Sequence, residues 1–598
     1  MIHYQLQPLR PEAHLFQVQL TIDTPMPEGQ VLRMPAWIPG SYMIRDFARH
    51  VVSFVAEVDG EPQALVKLDK DSWQVAPCQG PLTVTIEVYA FDVSVRGAHL
   101  DNEHGYFNGS CVFLQPLGHE DQPCTVQIDA PQGAGYVGWR LATGMPRLSG
   151  GEWQFGRFRA DNYLALIDYP VEMGRFIDAS FDAGGIRHRL VVRGDDGTDM
   201  TRLVRDLKPI CEQHQALFGG PPPMQDYLFI TWVTGNGYGG LEHRNSTSLM
   251  CSRADLPRRS DAADQVRDAY RNYLGLCSHE YFHSWMIKRI KPAAFSPYDL
   301  ARENYTELLW AFEGITSYYD DLGLLRSGRI DVGSWLELLG QTITRVARGH
   351  GEQRQTVTES SFDAWTRFYK QDENAVNAIV SYYAKGALIA LALDLTLRRR
   401  SDGEQSLDTL MRVLWQRYGD DPAGVPEQGI QALAEELLGS SLADFFQQAL
   451  YGCTPLPLTE LLSEMGITLH WRAPAGHADN GGKPAPAVPR LWLGARFADE
   501  PLGARIQLLF EQGVAMAAGL SVGDVLIAID GVRTDARRLD EQLQQYLPGD
   551  QVVLQVFRDD RLLSLPVRLE VGESSVAWLE ITDQGETAPW RRWLLPDR

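Results

Sequence analysis

His279, Glu280 and His283 stand in the stretch CSHEYFHSWMIKRIKP, residues 277 to 292. At 3.6 residues per turn, the two histidines project from one face of a helix, one turn apart. Glu280 lies about 100° round that helix, able to reach a metal-held water without being a ligand. This HExxH spacing can give zinc two imidazole ligands and give hydrolysis a carboxylate base. A helix that merely carries two buried histidines has the same spacing. Support has to come from elsewhere in the chain.

A catalytic zinc takes three protein ligands and keeps one position open. The stretch ENYTELLWAFEGITSYYDDLGLL has helical periodicity and offers Glu303, Glu307 and Glu313. Glu313 precedes a glycine in WAFEG, and Glu303 is its rival for third ligand. Glu307 is either a partner that orients a histidine or a solvated glutamate.

Residues 1–175 read as a β-rich domain, because short apolar runs such as HLFQVQLTI, VVSFVAEV, LTVTIEVYAF and CTVQIDA alternate with turn residues. Within it, MPAWIPGSYMIRDFARHV is interrupted by Pro39 and Gly40 and reads as a turn or bulge between core residues. Residues 176–472 read as an α/β portion leading into a helical one. Two strand candidates, DYLFITWV and NSTSLMCS, flank the glycine-rich loop TGNGYGGLEHR, which carries Gly239, Gly240 and Glu242. Taken alone, Glu242 is a turn residue held by backbone N–H groups or a group that recognises a substrate. Helical patterns follow around 264–289, 303–326, 374–398 and 427–450.

Residues 473–489, rich in Pro, Gly and Ala, read as a linker. A compact unit of strands and two short helices follows at 490–575, and 576–598 reads as a tail. The whole is a multidomain α+β chain.

The 598 residues exceed what one core can organise, and 44% apolar content with 15 tryptophans describes packed domains. A formal net charge of −22 argues against nucleic acid or an anionic membrane as partner. No stretch reaches the length of an apolar membrane span. The 7 cysteines are scattered without CxxC spacing, and the amino terminus lacks a basic segment followed by an apolar one. The expectation is a cytoplasmic protein with reduced thiols.

Three further elements carry a family resemblance. WAFEG resembles the WLNEG element that supplies the glutamate ligand in zinc aminopeptidases with thermolysin-like cores. GGLEH, 239–243, resembles the GAMEN exopeptidase motif, and YAKG, 383–386, resembles the YEKG element. Their order along the chain is the family order. The interval from His283 to Glu313 is longer than in the aminopeptidase N pattern. With that interval, the WIPGSYMIRDFAR segment and the strand–helix order of 490–575, the chain resembles the glycyl aminopeptidase family of zinc metallopeptidases. His243 and Leu241 depart from the wider class, which has Asn and Met there; only fine specificity is put in doubt.

The resemblance implies a β-rich amino-terminal domain, a thermolysin-like catalytic domain and a PDZ domain with its recognisable segment GLSVGDVLIAIDG. It implies one Zn2+ per chain on His279, His283 and Glu313, with Glu280 as general base. Glu242, on the loop with Gly239 and Gly240, would bind the substrate's free amine. Tyr383 would stabilise the oxyanion, with its neighbour Tyr382 as competitor. The implied substrates are peptides with a free amino terminus and a small first residue, glycine or alanine. The PDZ domain is either structural or binds a peptide ligand. Two other classes stay open: an endopeptidase tethered to carboxy termini by its PDZ domain, and a non-catalytic PDZ scaffold.

Overall fold

The computed structural model describes residues 1–262, 265–419, 421–484, 486 and 490–595. The chain divides into two compact units, one of residues 1–304 and 414–426, the other of 305–413 and 427–598.

The first unit opens with a seven-stranded sheet. Its order is Gly156–Ala160, Cys124–Ile128, Ile2–Arg10, Leu15–Ile22, Leu82–Tyr89, Val51–Val58, Glu61–Pro62. The alternation read from the sequence is real: Ile2, Tyr4 and Leu6, then Val18, Leu20 and Ile22, are buried while the residues between them face outward. Two four-stranded sheets complete this β-rich portion.

A five-stranded sheet follows, ordered Ile177–Ala183, Ile186–Arg193, Asp226–Thr234, Ser246–Ser252, Gly239–Glu242. Its central strand Asp226–Thr234 is parallel to both neighbours and buried along almost its whole length, as a near-continuous apolar run requires. Gly239–Glu242 closes one edge, antiparallel to Ser246–Ser252, with Glu242 opposite Thr247. The helices Met200–Phe218 and Asp268–Phe282 belong to this portion.

The second unit begins with helices, chief among them Gly314–Arg326, Val332–Ala347 and Tyr382–Arg400. The helical pattern expected from 303 starts only at Leu309. The Glu427 carboxylate accepts from the Thr306 hydroxyl at 2.7 Å and from the Glu307 backbone N–H at 3.0 Å. That side-chain capture gives the backbone an alternative to a helical turn.

The portion expected to be a PDZ domain packs a core of Leu493, Ile506, Leu526, Leu539, Leu554 and their neighbours against a six-stranded sheet. The segments flanking it are folded. Val576–Ile581 pairs with Ile467–Arg472, and Pro589–Leu594 forms a helix with Trp590 and Trp593 buried. In the expected linker, Asp479 binds Arg472 at 2.5 Å and Gly482 donates to the Ala577 carbonyl at 2.8 Å. No helix among the described residues is long and apolar enough to cross a membrane.

Candidate metal and substrate site

In the first unit, the helix Asp268–Phe282 is fixed by its rear face. His214 is hydrogen-bonded to Ser278 at 2.7 Å, and the Tyr281 hydroxyl meets His188 at 2.9 Å and Gln215 at 2.7 Å. Cys277 and Trp285 are buried core residues. The opposite face carries His279, Glu280 and His283. His279 lies in the last turn and His283 is the C-cap. Their rings stand edge to face with centroids 4.7 Å apart, and the two Nε2 atoms approach to 3.1 Å.

His283 Nδ1 donates to the Met286 carbonyl at 3.3 Å, which leaves Nε2 as the lone-pair nitrogen. Two nitrogens that close share either a proton or a cation. Nitrogens each about 2.0–2.1 Å from a tetrahedral zinc stand roughly 3.3 Å apart. The pair therefore fits zinc.

Two carboxylates converge on the same place. Glu242, Glu280 and His283, all buried, bring ligand-type atoms within 4.8 Å of one another. Gly240 explains how Glu280 reaches this point: a Cβ there would meet the Glu280 Cγ at 2.7 Å, so only glycine leaves room. Arg96 donates to the Gly240 carbonyl at 3.1 Å and holds the edge strand in place.

Glu242 is 4% exposed, and its Oε1 has no hydrogen-bond partner among the described residues. Gly40, at φ +96°, presses its backbone against that carboxylate. Arg96 carries no motif; Gly40 lies in the WIPGSYMIRDFAR segment at the interruption Pro39–Gly40, but nothing in that segment points to Glu242.

The turn after Glu242 is anchored by charge. Asp168 accepts from Lys288 at 2.5 Å and from the Arg244 backbone at 2.9 Å, and His243 Nδ1 lies 3.4 Å away. Burial alone would raise the Asp168 pKa, but Lys288 and His243 outweigh it and hold the carboxyl well below the usual range. His243, the departure from the GAMEN-type motif, is therefore part of this anchor. Glu303 lies outside any helix and acts electrostatically on Lys70.

The second unit brings Glu313 and Tyr383 together. Glu313 is buried at the junction of Leu309–Phe312 and Gly314–Arg326. Gly314 lies against Gly386, where a Cβ on Gly386 would stand 2.9 Å from the Gly314 Cα. The glycines of WAFEG and YAKG thus let two helices touch backbone to backbone. Burial first, then the Glu313 charge, raise the Tyr383 pKa well above that of a free phenol. The Tyr383 hydroxyl lies 3.4 Å from that of Tyr369, and Phe368 stacks on its ring at 5.5 Å. Tyr382 is wholly buried, whereas Tyr383 is half-buried. Glu307 faces Glu427, and burial followed by that negative neighbour raises its pKa. Tyr369 carries no motif and was not anticipated.

Family models match three segments: the peptidase M61 N-terminal domain over residues 3–175, M61 glycyl aminopeptidase over 272–389, and a PDZ domain over 492–569. A crystal structure described as an aminopeptidase N family protein from Idiomarina loihiensis is 44% identical, covers 98% of both chains and superposes with a TM-score of 0.94. The chain belongs to the M61 glycyl aminopeptidase family. As a family member it is a peptidase, with the β-rich amino-terminal domain, helical catalytic region and PDZ domain expected from its sequence. An M1 zinc metallopeptidase from Deinococcus radiodurans is 16% identical, with a TM-score of 0.47, over 76% of this chain and 94% of that one. No curated protein sequence matches.

Proposed function

We propose that this peptidase is a zinc-dependent aminopeptidase that removes small amino-terminal residues, glycine or alanine, from peptides. The observation that carries the reading is the convergence of Glu242 and Glu280 on His283, whose Nε2 faces that of His279 at 3.1 Å.

His279, His283 and Glu313 would hold one Zn2+ per chain, which when bound supplies Lewis acidity to the water and the scissile carbonyl. Glu280 takes the proton of the attacking water and passes it to the leaving amine. Glu280 is buried beside Gly240, with its carboxylate close to His283. Tyr383 donates its hydroxyl hydrogen to the developing oxyanion; its raised pKa keeps that proton in place at neutral pH. Glu242 pairs with the substrate ammonium. Its Oε1, buried with no donor among the described residues, is a site that a cation completes. Anchoring the amino terminus limits cleavage to the first residue.

Glycyl- and alanyl-p-nitroanilide should be hydrolysed, and their N-acetyl forms should be cleaved far more slowly. Equal turnover of blocked and free substrates would make the protein an endopeptidase.

A further inference from the structure

Within the second unit lies a cavity of about 460 Å³, lined by Arg345, Arg348 and Arg496 together with an apolar wall of Phe368, Leu508 and Phe510. That volume is within the range of small-ligand sites. Three arginines around one cavity run against the composition of a chain with net charge −22. Among the described lining residues the one carboxylate is Glu352, and it is already paired with Lys385.

Arg348 and Arg496 are each held by a neutral oxygen that leaves other guanidinium nitrogens unused. Arg348 is 6% exposed and donates through Nη1 to the Asp479 carbonyl at 2.5 Å. Its Nε and Nη2 have no hydrogen-bond partner among the described residues. Those two nitrogens form the edge that grips a carboxylate with two parallel bonds. The Asp479 carboxylate is engaged with Arg472. Arg496 donates through Nη2 to Asn480 at 2.7 Å, while its Nε is likewise buried without a partner. Burial pushes the Arg348 pKa down to about 10, with the attraction of Asp479 opposed by Arg496 and Arg472. Burial and Arg345 lower that of Arg496. Charge crowded this way is costly unless an anion joins it.

We propose that this cavity binds the terminal carboxylate of a short peptide substrate through Arg345, Arg348 and Arg496, with the last side chain against the apolar wall. The apolar wall favours a peptide end over a bare inorganic anion, which would leave Phe368, Leu508 and Phe510 unused. Phe368 both lines the cavity and stacks on Tyr383. The cavity therefore adjoins the residue assigned to the oxyanion. The assignment to substrate rests on the aminopeptidase reading above; the binding of a carboxylate does not.

The test compares Ala-Ala-Phe with Ala-Ala-Phe-amide in wild type, Arg345→Gln, Arg348→Gln and Arg496→Gln, with glycyl-p-nitroanilide as a substrate lacking the carboxylate. The expected result is a KM at least tenfold lower for the free acid in wild type, shrinking to within twofold in the variants. Arg345 is exposed, so Arg345→Gln keeps the test open should Arg348→Gln fail to fold. Equal KM values for acid and amide, with the anilide still cleaved, overturn the cavity assignment and leave the peptidase reading intact. If no substrate is cleaved, that reading fails, and calorimetric titration with N-acetylphenylalanine against its amide still decides the cavity. Inorganic phosphate binding as tightly as N-acetylphenylalanine would overturn the peptide end as ligand.

Discussion

Gly40 lies so close to Glu242 that a Cβ at position 40 would stand 2.8 Å from the carboxyl carbon. The backbone there has φ +96°, which L side chains rarely adopt. Gly40→Ala should therefore strain the turn by about 1–2 kcal/mol and push Glu242 aside. The expected outcome is at least a tenfold fall in kcat/KM on alanyl-p-nitroanilide, with a modest fall in Tm. Unchanged kinetics would separate Gly40 from the function of Glu242.

The facing imidazoles make metal retention the next prediction. One zinc per chain should be lost with activity on chelation and regained on adding zinc. His283→Ala should abolish retention, because the remaining ligands cannot hold the ion tightly. Glu280→Gln should keep the zinc and the fold while turnover falls by several orders of magnitude, since an amide cannot take the proton. Full activity in metal-free protein would end the reading.

Glu313 and Glu303 remain to be separated by metal analysis. Glu313→Ala should lose zinc, since Glu313 is buried at a helix junction opposite the Gly386 helix. Glu303→Ala should keep it, because Glu303 lies in a coil within reach of Lys70. The opposite pattern would transfer the ligand role.

What the sequence made legible was local. His279 and His283 were readable because a helix sets their spacing, and the strands of the amino-terminal domain because a period of two exposes alternate faces. The contact of Gly40 with Glu242 joins distant segments, and neither residue's neighbours announce it. The same holds for Val576–Ile581: its partner strand Ile467–Arg472 lies on the far side of the PDZ domain, so the segment reads as a tail until the pairing is seen. The helix expected from 303 failed for a related reason. Glu427 captures the Thr306 and Glu307 groups from far along the chain, and propensity does not foresee that.

Tyr383 and Tyr382 are adjacent, yet one is half-buried and the other wholly so. Tyr383→Phe should raise the barrier by roughly 2.7–4 kcal/mol if its hydroxyl meets the oxyanion, read as a fall in kcat with zinc retained. Tyr382→Phe should act mainly on stability. A large kinetic loss in Tyr382→Phe with less than tenfold in Tyr383→Phe would exchange their roles.

Whether the enzyme reads a free amino terminus is tested at the buried Glu242 carboxylate. A protonated amine entering a closed site loses its hydration, and a carboxylate partner makes that tolerable. Glu242 offers such a partner, with Oε1 buried and no donor to it among the described residues. Its strand is held by Arg96 at Gly240, and the following turn by Asp168. Those anchors do not depend on the carboxylate itself, so Glu242→Ala should fold. The variant should lose most activity on free-amine substrates, because their charge is left buried and unpaired. Any slow cleavage of an N-blocked substrate carries no such charge and should change little. Measuring both rates in wild type and variant gives a double difference that isolates the ammonium–carboxylate pair from general damage. Adding Gly40→Ala to Glu242→Ala should then cost little more in kcat/KM, since the turn would no longer have a carboxylate to place. Equal slowing of blocked and free substrates would make Glu242 structural and favour an endopeptidase.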